Sequence, residues 1–597
     1  MGHPAVTRAR RPLADLTVRV AGPSALTAPA MSHLRALGAT LETTEEPGGP
    51  AHFAVTGRHP GEITARTSWA DVLPGADAAD EATVQAATGV MQVHGRRRGE
   101  PRGLAVDYAA TCASVLTVQG LLAALIGRAR GSAHGAHLTT GADRAALLTV
   151  SQYLAAANAP ETEAVDLSPG GPPFTARCGT LFELEALDPA PWARFWRELG
   201  APEESIRAGW RPFQFRYATA CAPIPEALHR TAGTASWARV REAAELSGAE
   251  VCRVRSLSDR AAEEAAGAPW TLTPYDGPGS APAAGPVPEG ALPLSGLTVL
   301  EAGRRIQAPL AAHLLGMLGA DVVRIEPPGG DPLRGMPPCC SGISARWLAL
   351  NRGKRAVQID IKSPAGRAEL RELAAGADVF LHNWAPGKAE ELGLDSDRLA
   401  AVNPGLVYAY TSGWAGRLAD APMGTDFMVQ ARTGVGAAVH PADEAPVPSL
   451  MTLLDVLGGL LGAEAILGGL LLRERGGRGV RVESSLLGAA DTLTGPALRR
   501  AAAGAPPRRP AGFRRPLATA DGWLAPSDDS APAAQDRSAR LRERTTDQAV
   551  AELRAQGLSA TAVTTDLSAL PQDRRLNGAF ARDPHGALII PSPWRFQ

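Results

Sequence analysis

Residues 12 to 39, PLADLTVRVAGPSALTAPAMSHLRALGA, lie without a gap on residues 293 to 320, PLSGLTVLEAGRRIQAPLAAHLLGMLGA, at an offset of 281. Further along, VQAATGV (84–90) matches VQARTGV (429–435), and QGLLAALIGRARG (119–131) lies on EAILGGLLLRERG (464–476), both at an offset of 345. A tandem duplication folds as two related units with like surfaces, and 597 residues are in any case too many for one hydrophobic core. The two offsets differ by 64 residues, which is the length missing from the core of the first copy.

Composition shifts then divide the chain. The first copy spans 1–267, with a reduced core at 12–168, a Pro/Gly break at 169–173 and a small domain at 172–262. Residues 268–292 hold six prolines and read as a linker. The second copy spans 293–597, with a large domain at 293–500, a small domain at 518–575 and a C-terminal return segment. Its small domain is about 31 residues shorter than the first, lacking the stretch that corresponds to the helical FWRELG run (195–200).

In the second copy, LTVLEAG, a helix ending at Leu318 and ADVVRIEPPGGD form a strand–helix–strand pattern. KRAVQIDI, ADVFLHNWAPG and GLVYAYTSGW continue it as further strands, which predicts an α/β fold on a parallel sheet. Ligands of such sheets bind at the carboxyl ends of the strands, so the loops at 303–309, 326–335, 383–388 and 412–417 form the expected rim.

The stretch 451–488, MTLLDVLGGLLGAEAILGGLLLRERGGRGVRVESSLLG, predicts a long apolar helix followed by a strand. Asp455 reads as its acidic N-cap, Arg473 and the glycines beyond it as its end. Glycines 458, 459, 462, 468 and 469 each cost about 1 kcal/mol in a helix relative to Ala, so close packing against backbone or ligand is expected. At the 345 offset Asp455 falls on Ala110, while Asp107, three residues earlier, points elsewhere.

The succession RIQAP (305–309), RIEPPGGDPLRG (324–335), LNRGKRAVQIDIKSPAGR (350–367), HNWAPG (382–387), GTDFMVQARTG (424–434) and the Asp455 helix with its R-x-R-x-G end resembles the class III, or CaiB/BaiF, CoA-transferase family. The resemblance implies two copies, each with a Rossmann-like parallel-sheet large domain and a small α+β domain, interlocked within one chain as a pseudo-dimer whose first copy is degenerate. It implies Asp455 as the nucleophile that carries CoA through anhydride and aspartyl-CoA intermediates, and Gln307 as a second catalytic residue. Ala308 is implied beside the thioester, Lys354 on a CoA phosphate, Asn383 and Trp384 on the pantetheine or adenine end, and Arg334 among the CoA-binding residues. The implied partners are acyl-CoA and a carboxylic acid as substrates, with no tightly bound cofactor and no metal. Two departures stand out: Gln307 precedes Pro309 by two residues where three is usual, and 501–517 has no counterpart of the family's glycine-rich loop. Two alternatives stay open. A non-catalytic acyl-CoA-binding scaffold fits the eroded first copy, whereas an acyl-CoA racemase or isomerase is disfavoured because Thr425 stands where those members have the His of G-H-D.

Charge and cysteine usage narrow the setting. A net charge of −1 gives no global field for nucleic acid or an anionic membrane. RARR at 8–11 has no apolar stretch behind it, and the charge at Glu464 interrupts the long apolar run, so neither a secretory leader nor a membrane span is expected. The six cysteines lack metal-ligand spacing, Cys339 and Cys340 read as a buried apolar pair, and a reducing cytoplasm is the expected location.

Overall fold

The computed structural model describes residues 11–46, 48–57, 62–132, 136–263, 267–276, 285–418 and 421–597. Residues 8–10 of the basic RARR run and 277–284 in the middle of the linker lie outside the described residues.

The first copy opens with β1 (Thr17–Gly22), α1 (Ser24–Ala36), β2 (Thr40–Glu45), β3 (Ala51–Thr56) and β4 (Ile63–Ser68). It continues through α2 (Glu81–Ala87) and the long helix α3 (Tyr108–Ala129) to β5 (His137–Gly141). Its small unit contains β6 (Leu181–Glu185), α4 (Glu203–Thr219) and β7 (Glu250–Arg253), and β8 (Trp270–Pro274) follows. The second copy runs β9 (Thr298–Ala302), α5 (Gln307–Met317), β10 (Asp321–Glu326), β11 (Arg355–Gln358), β12 (Val379–His382) and β13 (Val407–Ser412). Then come α6 (Asp426–Thr433), the long helix α7 (Leu453–Gly476) and β14 (Val480–Ser485), and the chain ends at β15 (Arg595–Phe596).

The second copy's sheet has the order β11-β10-β9-β12-β13-β14-β8 and is parallel except for β8. The first copy's sheet has the order β2-β1-β3-β4-β5-β15 and is mixed. Here the expectation of a parallel sheet in each copy needs correcting. The connection from β3 to β4 is too short for a helical crossover, so β4 returns antiparallel, and β3 is antiparallel to β1 as well.

Each copy closes the other's sheet. The stretch 268–292 is more than a linker: its strand β8 pairs antiparallel with β14 of the second copy, with Leu272 opposite Val482. In return β15, at the chain's end, pairs antiparallel with β5 of the first. Trp594, just before it, donates its indole N–H to the carbonyl of Leu116 in α3, 2.7 Å.

Between the sheets, α3 and α7 pack on each other. Both are long and apolar enough to cross a membrane, yet nearly all of each is buried in the protein core. They are equivalent by the repeat, and polar side chains fix their alignment: the Tyr108 hydroxyl donates to the Leu453 carbonyl (2.8 Å), and the Gln119 amide to that of Leu460 (2.7 Å). Glu464, a carboxylate in the middle of α7, is fully buried. His33 of α1 (3.0 Å) and the Trp270 indole N–H (3.1 Å) satisfy it, in accord with the rule that buried charges are partnered.

The glycines of α7 pack as their spacing predicts. A Cβ on Gly458 would lie 2.9 Å from the Gln307 side-chain nitrogen, one on Gly459 2.9 Å from the Gln307 carbonyl, and one on Gly469 2.8 Å from Val482. The bare face of the helix is what lets α5 and the sheet come this close.

The small units differ in bulk. The first has a three-stranded sheet carrying β6 and β7, and helices whose buried Trp192, Trp196, Phe195 and Phe213 form a separate aromatic core. The second pairs Leu517–Ala518, Trp523–Pro526 and Ala560–Ala562 over a smaller core that includes Leu524, Leu541 and Leu553.

This interlock predicts that residues 293–597 expressed alone are insoluble, because α7 loses the cover of α3 and the β14 edge loses β8. Co-expression of residues 1–292 should restore a soluble complex, measurable by size exclusion.

Candidate functional site

Asp455 is not the N-cap of α7. The cap residue is Thr452, in the left-handed region at φ 52°, and Asp455 is the third helical residue. The capping carboxylate comes from another helix. Asp426, at the start of α6 and buried, accepts the backbone N–H groups of Leu454 and Asp455, both at 2.7 Å. Its other oxygen accepts from the Gln430 amide (2.5 Å), and the Gln430 carbonyl oxygen accepts from Ser449 N–H (2.9 Å). Relieved of capping, the Asp455 carboxylate is half-buried on the first turn of α7.

The first copy keeps this device at the 345 offset. Glu81 accepts from Ala109 N–H (2.8 Å) and Ala110 N–H (2.9 Å), Gln85 donates to Glu81 (2.8 Å), and Leu104 N–H donates to Gln85 (2.8 Å). Ala110 thus stands structurally where Asp455 stands, with the cap retained and the carboxylate absent. The neighbouring space in the first copy is held by buried Arg514, which donates to Asp107 (2.6 Å), to Asp528 (2.6 Å) and to the carbonyls of Leu104 and Val106 (3.2 and 2.9 Å). Arg514 belongs to the stretch 501–517, and its contacts are to Leu104, Val106 and Asp107 of the first copy and to Asp528.

Gln307 opens α5 beside this first turn. Its side-chain nitrogen lies against Gly458, one helical turn after Asp455, and donates a long hydrogen bond of 3.4 Å to the carbonyl of Ser412 at the end of β13. Ala308 follows it, fully buried. As the first two residues of α5, Gln307 and Ala308 carry N–H groups that have no acceptor within the helix.

The other wall comes from the first copy's small unit. Glu185 on β6 accepts from the Thr425 hydroxyl (2.7 Å), the residue just before Asp426, and from Arg216 of α4 (3.0 Å). Arg216 also lies 4.7 Å from the centre of the Phe427 ring. Tyr217 of α4 faces Arg305, whose guanidinium carbon is 5.4 Å from the ring centre.

These neighbours set the ionisation of Asp455. Burial pushes its pKa up to about 8, the Asp426 carboxylate pushes in the same direction, Arg305 pulls it down and Glu185 raises it. Asp426 is itself raised by burial, against the stabilising hydrogen bonds from Gln430 and the α7 backbone. Sequence reasoning missed Asp426, Glu185, Arg216, Tyr217 and Arg305. The Asp426–Gln430 pair, matched by Glu81 and Gln85 at the repeat offset, was the signal that could have found the cap. Nothing in the sequence gives the position of Glu185.

Four predicted ligand residues are committed to the protein itself. Lys354 is not a free phosphate ligand: its ammonium is buried and donates to Glu301 (2.9 Å), the Pro309 carbonyl (2.8 Å) and Asn351 (2.8 Å), and burial lowers its pKa to about 8. Those bonds use all three of its donors. Glu301 is bound also by Arg324, which reaches Asp331 (2.5 Å). Arg334 sits in the same cluster, paired with Glu326 (2.8 Å) and stacked 3.9 Å from the Trp347 ring. Asn383 clamps the neighbouring loop, accepting from Arg304 N–H (2.9 Å) and donating to the Arg304 carbonyl (3.0 Å). Trp384 packs on His382 (4.6 Å) and Phe380 (5.9 Å) and is half-buried. The structure therefore joins Asp455, Gln307 and Ala308 at one place and uses Lys354, Arg334 and Asn383 to hold the loops around it.

Comparison with known proteins follows this geometry. The model of CoA-transferase family III matches residues 68–289 and 294–570. The chain is 35% identical over 201 residues to the succinyl-CoA:glutarate CoA-transferase of Mus musculus, covering 33% of this chain and 45% of that one. It is 37% identical over 200 residues to the succinyl-CoA–L-malate CoA-transferase beta subunit of Chloroflexus aurantiacus, covering 33% and 49%. The chain thus spans about half the length of the curated relatives it matches. A solved CAIB/BAIF family protein from Brucella suis is 27% identical with a TM-score of 0.45, over 51% of this chain and 92% of that one.

Two outcomes follow from the site. Lys354→Met strips one partner from buried Glu301 and should cost about 3 kcal/mol, read as a lower Tm, with the KM for acyl-CoA little changed. Asp455→Asn should raise the Tm at pH 8. The folded pKa of Asp455 lies above the unfolded value of 3.8, so its contribution to stability is lost as pH rises through about 8. The gain from Asn should shrink as pH falls and vanish below pH 3.8, where the carboxyl is neutral in both states.

Proposed function

The chain belongs to CoA-transferase family III, and we propose that it moves CoA from an acyl-CoA thioester to a carboxylic acid with Asp455 as the covalent carrier. The observation that carries this reading is the Asp455 side chain: half-buried, relieved of capping by Asp426, raised in pKa, and walled by both copies.

A carboxylate with a raised pKa is a better nucleophile than an ordinary aspartate once it is ionised. In the first half-reaction an Asp455 oxygen attacks the thioester carbonyl and the CoA thiolate leaves, giving a mixed anhydride. The thiolate then attacks the Asp455 carbonyl, the donor acid departs with the bridging oxygen, and Asp455 holds CoA as a thioester. In the second half the acceptor carboxylate attacks that thioester and expels the thiolate. The thiolate takes the acceptor carbonyl, and Asp455 is restored.

Each step builds charge on a carbonyl oxygen. The N–H groups of Leu454 and Asp455 are taken by Asp426 and are not available to it. The donors left are the Gln307 side chain and the N–H groups at the start of α5, and dipoles fixed in advance are the cheapest way to stabilise such charge. On the first copy's side, Tyr217 of α4 faces Arg305.

The names of the relatives speak of succinyl-CoA with glutarate or malate, which makes small dicarboxylic acids the first acceptors to test. Mass spectrometry after incubation with succinyl-CoA alone should find CoA on the peptide that contains Asp455. Asp455→Ala should lose the adduct and at least 1000-fold in transfer, roughly the scale of losing a covalent nucleophile. A folded protein that carries no adduct and transfers nothing would favour the non-catalytic acyl-CoA-binding alternative.

A further inference from the structure

We propose that Arg305 receives the carboxylate of the incoming acid and sets it against Asp455. The inference rests on the reading of Asp455 as CoA carrier and names the residue that makes its second half-reaction possible.

Arg305 lies in the loop between β9 and α5, two residues before Gln307, and is exposed at the mouth of the site. Apart from the exposed Arg304 next to it, the other arginines nearby are occupied. Arg216 is bound to Glu185, Arg324 to Glu301 and Asp331, Arg334 to Glu326, and Arg346 to Glu163 and two backbone carbonyls. Arg305 has no hydrogen bond or ion pair among the described residues. Its contacts are the face of Tyr217 and the field of Asp455.

Its backbone is held in a costly shape. Arg305 has φ 62°, a left-handed conformation that a long side chain rarely adopts and that costs on the order of 1 kcal/mol or more. The Asn383 clamp on both backbone groups of Arg304 fixes the loop that carries it. Strain maintained by a dedicated clamp fits a side chain that must point at a ligand.

The repeat adds an independent comparison. At the 281 offset Arg305 and Gln307 correspond to Ser24 and Leu26, and at the 345 offset Asp455 corresponds to Ala110. These three polar residues are absent from the first copy together. The capping pair survives there as Glu81 and Gln85, because the helix still needs it. Arg305 thus divides with the reactive residues and not with the structural ones.

Charge explains the task. The acceptor enters as an anion beside the buried Asp426, while the guanidinium of Arg216 is already bound to Glu185, so an unpaired cation is needed to offset the repulsion. In the resting enzyme the charge of Arg305 favours the ionised form of the Asp455 carboxyl. Once Asp455 carries CoA as a thioester, which cannot ionise, the guanidinium is free for the acid, for which its planar fork is suited. When the thiolate takes the acceptor carbonyl, Asp455 leaves as a carboxylate and faces Arg305 again.

The test separates the half-reactions, with succinyl-CoA as donor and glutarate as the acid. Wild type, Arg305→Gln and Arg305→Lys are first charged with succinyl-CoA, the bound CoA is measured by mass spectrometry, and glutarate is then titrated against the charged protein. Arg305→Gln raises the Asp455 pKa and so charges more slowly at neutral pH; at a pH that ionises Asp455 in both proteins, it should need at least about tenfold more glutarate for half-maximal discharge. Arg305→Lys should recover part of the loss, and added guanidinium ion should partly rescue Arg305→Gln, which a structural defect would not permit. An unchanged requirement for glutarate in Arg305→Gln overturns the inference alone. A wild-type protein that never charges with CoA overturns the carrier reading and this inference together.

Discussion

Everything at the candidate site depends on how the first turn of α7 is capped. A helix N-terminus buried in a protein core must find acceptors for its N–H groups. If Asp455 met that demand itself, its carboxylate would be tied to its own backbone. Asp426 meets it from α6 instead, through two bonds of 2.7 Å, and so leaves Asp455 a side chain with nothing structural to do. The same carboxylate, placed close by, raises the pKa of Asp455.

Duplication shows which parts of this arrangement are scaffold and which are chemistry. Both copies retain the capping carboxylate, the glutamine that braces it and the long apolar helix, since removing any of them would leave buried backbone groups unpaired. The first copy has exchanged Asp455 for Ala110 and admitted Arg514 into the vacated surroundings. Its small unit remains large and supplies Glu185, Arg216 and Tyr217 to the other copy's site. The second copy shows the reverse pattern, a full parallel sheet with a reduced small unit. One chain has divided between its halves the labour that two identical subunits would duplicate, and the exchange of β8 and β15 holds those halves in register.

Much of this was legible in the sequence because it is periodic or repeated. Strand and helix alternation gave the second copy's sheet, the glycines of α7 announced its close contact with α5, and the offset placed Ala110 under Asp455. What escaped was set by tertiary partners. Asp455 looks like a cap because an acidic residue at a helix start usually is one, and only the fold brings Asp426 to the same N–H groups. The family resemblance implied Lys354 as a phosphate ligand and Arg334 as a CoA-binding residue. Whether such a cation faces solvent or a buried carboxylate is decided for Lys354 by Glu301, 53 residues away, and for Arg334 by the turn that folds it back onto Glu326. The mixed sheet of the first copy was hidden for a similar reason: a short β3–β4 connection decides the direction of a strand, and hydrophobic pattern does not.

The central claim is that the Asp455 carboxylate exchanges oxygen with both acids during CoA transfer. It can be tested by supplying glutarate labelled with 18O in its carboxylates, with unlabelled succinyl-CoA, under single-turnover conditions. The bridging oxygen of the second anhydride comes from the acceptor and stays on Asp455 when the thiolate takes the acceptor carbonyl. The account therefore predicts one 18O atom in the Asp455 side chain, found by fragmenting the peptide that contains it. Transfer of CoA to glutarate with no label entering Asp455 would contradict it.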